Sequence, residues 1–85
     1  MKLKKGGNMF RIKDTSKLAE MGFSKNDYTG DHEIMRVIKG NKKRLFIIYR
    51  GSDYLRYSKT GYVVEEQLKL IYEWSKKDYI YIDET

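Results

Sequence analysis

An α+β fold is predicted by three features of this 85-residue chain. Two runs rich in β-branched and aromatic residues, Glu33–Lys39 and Arg44–Arg50, flank Gly40-Asn41-Lys42-Lys43, which reads as a hairpin turn. Apolar residues recur at helical spacing between Val63 and Ser75. The alternating run Tyr79–Ile82 reads as a closing strand. With a short helix ahead of the hairpin, the order is α-β-β-β-α-β. This describes a three-stranded antiparallel meander plus a C-terminal strand, packed against two helices on one sheet face.

The first helix is expected over Asp14–Gly22. Asp14, Thr15 or Ser16 is placed to cap it, Leu18 and Met21 lie three apart, and Gly22 supplies the stop. Ile12 and Phe23 flank it and pin it to the core. The polar stretch Ser24–His32 reads as a loop. A second turn, Gly51-Ser52-Asp53, leads into a third strand at Tyr54–Ser58, and Lys59-Thr60-Gly61 leads into the long helix. Glu65 and Glu66 in the first turn of that helix, and Lys76 and Lys77 past its end, complement its dipole. Trp74, at helical spacing from Leu70 and Ile71, reads as core, with an anchor for a partner protein as the alternative.

Side chains alternate across a strand, so loop parity assigns the two sheet faces. With even-numbered hairpin loops, Met35, Val37, Phe46, Ile48, Leu55 and Tyr57 form an apolar face that receives the helices. The other face carries Ile34, Arg36, Ile38, Leu45, Ile47, Tyr49, Tyr54 and Arg56. Arg36, Ile47 and Arg56 then stand side by side across its middle, with Tyr49 near Tyr54. This second face is too apolar for a merely solvated surface. Three readings compete for it: cover by the short helix, a homodimer or partner-protein interface, or an Arg/Tyr platform for single-stranded nucleic acid.

The formal charge of +6 suggests an anionic partner, but Lys2, Lys4 and Lys5 all fall within Met1–Asn8. Residues 1–9 therefore read as a flexible basic leader ahead of a single domain spanning 10–85. Codons for Lys4–Met9 can resemble a ribosome-binding site upstream of a start codon, so two readings stand for the leader: translation that begins at Met9, or a genuine flexible basic tail. Lys outnumbers Arg 13 to 5, and eight Ile and eight Tyr accompany one Ala and no Pro, which points to a low-GC genome. The longest unbroken apolar run, Leu45–Tyr49, is far short of the ~20 residues needed to span a membrane. No stretch resembles a secretory signal, so no membrane association and a cytoplasmic location are expected.

Catalytic chemistry finds little support. The absence of Cys excludes disulfides, thiolate metal sites and a cysteine nucleophile. Asp31-His32-Glu33 is the one cluster with metal-ligand character, and adjacent residues diverge too far to share an ion. Ser16, Ser24, Ser52, Ser58 and Ser75 lack any nucleophile motif, and one His would have to serve them all. Glu65 and Glu66 point about 100° apart on a helix and form no acid/base pair. Gly6-Gly7 and Gly40 fit no phosphate-cradling loop. The chain reads as non-enzymatic, with no small-molecule cofactor.

In layout the sequence resembles short uncharacterised proteins of phages and prophages of low-GC Gram-positive bacteria. The residues that carry the resemblance are Lys17–Phe23, the hairpin through Leu45–Tyr49, and Leu68–Tyr72 running into Tyr79–Ile82. It implies a binder acting on host proteins or on nucleic acid, and brings over no site residues. The expectation is a small non-catalytic binding protein. Its candidate binding face is Arg36, Ile47, Tyr49, Tyr54 and Arg56, and protein–protein association, with itself or a host protein, is its leading activity. The alternative is nucleic-acid binding through the same face, aided by Lys42, Lys43 and Arg44.

Overall fold

The computed structural model describes residues 9–57 and 64–83. The basic leader up to Asn8, Ser58, the Lys59-Thr60-Gly61 turn and Val63 lie outside the described residues. The fold is α+β, with a six-stranded antiparallel sheet and two helices. The strands are β1 (Met9–Ile12), β2 (Ser24–Lys25), β3 (His32–Ile38), β4 (Asn41–Ile48), β5 (Tyr54–Tyr57) and β6 (Ile80–Asp83). Their order across the sheet is β2-β3-β4-β5-β1-β6. The β3-β4-β5 meander and closing strand of the sequence reading are present, and β1 and β2 are additional. No helix among the described residues is long and apolar enough to cross a membrane.

The first helical segment is shorter and tighter than the spacing suggests. It comprises a 3-10 turn at Thr15–Lys17 followed by α1, Leu18–Met21. The Asp14 carboxylate accepts from the Ser16 amide at 3.0 Å and from its hydroxyl at 2.7 Å. These bonds hold the carboxyl below its ordinary pKa. Gly22 ends α1 at φ 105°, and the Phe23 amide bonds back to the Leu18 carbonyl at 3.0 Å. The second helix, α2, spans Val64–Lys76.

The hairpin departs most from expectation. Its turn is Lys39-Gly40, at φ 52° and 81°, so Ile38 pairs with Asn41. Two residues in the left-handed region make the tight turn whose twist suits paired strands. Nearer the sheet centre, Ile34 pairs with Phe46 and Met35 with Arg44, leaving Leu45 as the extra residue of a bulge. Because strand faces alternate with period two, that single residue reverses the inner and outer sets of β3 relative to the rest of β4. Ile34, expected outside, is fully buried, whereas Met35 and Val37, expected in the core, are 36% and 72% exposed. Leu45 is buried too, and Tyr57, expected inside, is 44% exposed at the margin.

Both helices lie on the inner face. One cluster joins Ile12, Ile34, Phe46, Ile48, Leu55 and Ile80 of the sheet to Leu18, Met21 and Phe23 around α1 and to Trp74 of α2. Trp74 is core, as its spacing suggests, stacked on Phe23 at 5.7 Å and tilted against Phe46 at 5.2 Å. Buried Gln67 donates from Nε2 to the Leu45 carbonyl at 2.9 Å, so α2 satisfies the acceptor that the bulge frees from the ladder.

Three substitutions test this register and the helix docked on it. Ile34→Ala is expected to destabilise by about 2–5 kcal/mol, and Val37→Ala by no more than about 0.5 kcal/mol, both read from urea unfolding. Gln67→Leu strands a buried carbonyl, and an unfolding free energy lower by about 1–3 kcal/mol is the expected outcome.

Candidate functional site

Helix-bearing residues alternate with a second set that faces away from both helices. On β5, Leu55 is buried in the core, so Tyr54 and Arg56 face outward. Arg56 pairs with Ile47 of β4, and Glu33 pairs with Ile47 from the other side. Across the sheet, Tyr54 pairs with Arg11 of β1, which pairs with Tyr81 of β6. The outer face thus presents Glu33, Ile47, Arg56, Tyr54, Arg11 and Tyr81 in adjoining positions, with Tyr49 just beyond the end of β4.

Two arginines on this face have different surroundings. The Arg11 guanidinium lies 3.7 Å above the Tyr54 ring. It donates to Asp83, Asp53 and the Tyr54 hydroxyl, tying β1 to β6 and to the loop before β5. The bond to Asp83 raises its pKa most; desolvation opposes it, and the bond to Asp53 adds to the rise, leaving the pKa above the ordinary arginine range. Arg56 is exposed; it lies 5.0 Å from the Tyr49 ring centre and 6.0 Å from that of Tyr54. Among the described residues no carboxylate forms an ion pair with it. Ile47 is 6% exposed beneath these side chains, and Tyr49 is 47% exposed.

Four of the five residues read from the sequence therefore meet: Ile47, Tyr49, Tyr54 and Arg56. Arg36 does not. The tight turn pairs it with Lys43, and the bulge places it on Ile34's side of β3. Glu33 takes its position beside Ile47 and forms an ion pair with Arg44 at 3.2 Å. Ile34, Ile38 and Leu45 also leave the outer set, since Ile34 and Leu45 are core and Ile38 packs against it.

Arg11 and Tyr81 join this face because Met9–Ile12 is a strand, which the sequence reading did not place there. Its alternation, with Phe10 and Ile12 facing inward, is the signal that marks a short strand. Asp31, His32 and Glu33 diverge: the Asp31 carboxylate accepts from the Arg50 amide at 2.7 Å, while Glu33 turns to Arg44. No group of three or more metal-ligating side chains occurs among the described residues. In comparisons with protein-family models, curated proteins and solved structures, nothing matches this chain.

The contrast between the arginines is measurable by calorimetry. Arg11→Gln, which leaves Asp53 and Asp83 without their shared cation, is expected to lower the thermal midpoint. Arg56→Gln, which breaks no ion pair, is expected to leave it unchanged.

Proposed function

We propose that this chain is a small non-catalytic protein-binding module, of phage or prophage type, whose outer sheet face docks another protein. The observation that carries this reading is Arg56, exposed over Tyr49 beside the nearly buried Ile47, on a face that neither helix covers. Tyrosine and arginine around an apolar centre are the residue types that dominate protein interfaces. The same face is less suited to single-stranded nucleic acid. Stacking needs free aromatic faces, and Arg11 already covers the Tyr54 ring at 3.7 Å. Glu33, Asp53 and Asp83 border the face and would repel phosphates. The partner is a host protein or a second copy of the chain.

Site-specific photo-crosslinking tests this. A photoreactive phenylalanine at Tyr49 is expected to give one discrete crosslinked protein in cells, lost on adding Arg56→Glu. The same probe at Tyr72, 67% exposed on α2 on the other side of the sheet, is the control. Equal crosslinking at both positions, or none at Tyr49, would sink the proposal. Salt-sensitive binding of single-stranded DNA that Tyr54→Ala abolishes would transfer the face to nucleic acid.

A further inference from the structure

We infer a second binding site, independent of the outer face: the far half of the β3–β4 hairpin is a basic arm for duplex DNA. Residues 35–44 hold five of the chain's 18 Lys and Arg, and none of its 12 Asp and Glu. With the arm set aside, the rest of the chain is close to charge balance. Apart from the three lysines of the leader, the positive excess is concentrated in this one structural element.

That element leaves the sheet's flanking strands behind, while Ile38 keeps its inner side against the core. β5 pairs with β4 at Phe46 and Ile47, and β2 pairs with β3 at His32 and Glu33. Beyond the bulge, the pairs from Met35–Arg44 to Ile38–Asn41 have no strand beside them among the described residues. Four pairs at about 3.4 Å per residue make a ribbon roughly 13 Å long. Arg36, Lys39 and Lys42 are exposed, and none of them forms an ion pair with a carboxylate among the described residues. Arg36 and Lys42 lie on opposite sides of the ribbon, with Lys39 at its tip.

The geometry selects among nucleic acids. A two-stranded ribbon enters the major groove of B-form DNA, about 12 Å wide and 8.5 Å deep. The major groove of duplex RNA is too narrow and deep for side chains to read. Single strands are held largely by aromatic stacking, and the arm contains no aromatic residue. Contacts from Arg36, Lys39 and Lys42 would address phosphates on both walls of the groove.

Fluorescence anisotropy with the full chain and an end-labelled 20-base-pair DNA of mixed sequence tests the assignment. Three phosphate contacts predict a log–log salt slope of about −2.7, so affinity falls about 40-fold between 50 and 200 mM salt. Lys39→Gly with Lys42→Gln is expected to weaken binding at least tenfold. Glycine accepts the φ of 52° at position 39, so the turn survives, and an unchanged circular dichroism spectrum verifies it. Replacing Lys2, Lys4 and Lys5 by Gln is expected to leave most of the affinity, and Tyr49→Ala to leave it within about twofold. The assignment is overturned by no binding at 50 mM salt, by loss only in the leader variant, or by equal affinity for duplex RNA or single strands.

Discussion

The extra residue at Leu45, and the hydrogen bond that Gln67 makes to its carbonyl, is the constraint on which the rest of the structure depends. A bulge interrupts the ladder and leaves a polar group without its strand partner. Here that group meets the buried side of α2, so the defect in pairing becomes the docking point of the helix. The same residue decides which β3 side chains are core. Without it, Ile34 would leave the cluster it shares with Phe46 and Trp74, and Met35 would enter. The hairpin also changes character at this point, from an apolar core strand pair to a basic ribbon.

The outer face is organised by a different principle, the division of labour between two cations. Arg11 is enclosed by Asp53, Asp83 and Tyr54, and serves to hold three segments in register. Arg56 has tyrosine rings for neighbours instead of carboxylates. A guanidinium so placed keeps its hydrogen-bonding capacity for something outside the chain, while its aromatic support limits the side-chain entropy lost on contact. The β1–β6 half of this face is thus spent on the fold, whereas Arg56 on β5 has no carboxylate partner among the described residues.

The readable parts of the sequence were those whose signal is local. α2 followed from its 3.6-residue period and its charged ends, and β5 and β6 from alternation. Ile47, Tyr49, Tyr54 and Arg56 could be grouped because the Phe46–Tyr57 register obeys simple parity. Three features escaped, for physical reasons. The turn was displaced because Lys39 adopts a positive φ that its identity does not advertise, so Gly40 appeared to open the turn that it closes. The bulge depends on what faces each strand and leaves no mark on the sequence of β4 itself. β1 has only four residues and derives its strand character from neighbours distant in the chain. The loss of Arg36 from the site, and the gain of Arg11, both descend from these nonlocal facts.

The position of β1 has a consequence for when the sheet is completed. Met9 pairs with Asp83 and Phe10 with Leu55, so the first described strand lies between partners from the middle and the end of the chain. The β3–β4 hairpin closes locally, and elements of that kind form in about 1–10 μs. β1 must await segments whose ordering carries the entropy of long loops. During synthesis its β5 edge stays unpaired until Tyr54 and Leu55 have emerged, and its β6 edge until Ile80–Asp83 have followed. β1 is thereby the first described strand to be made and the last to gain both partners, and its outer-face arginine is fastened only once Asp83 is in place.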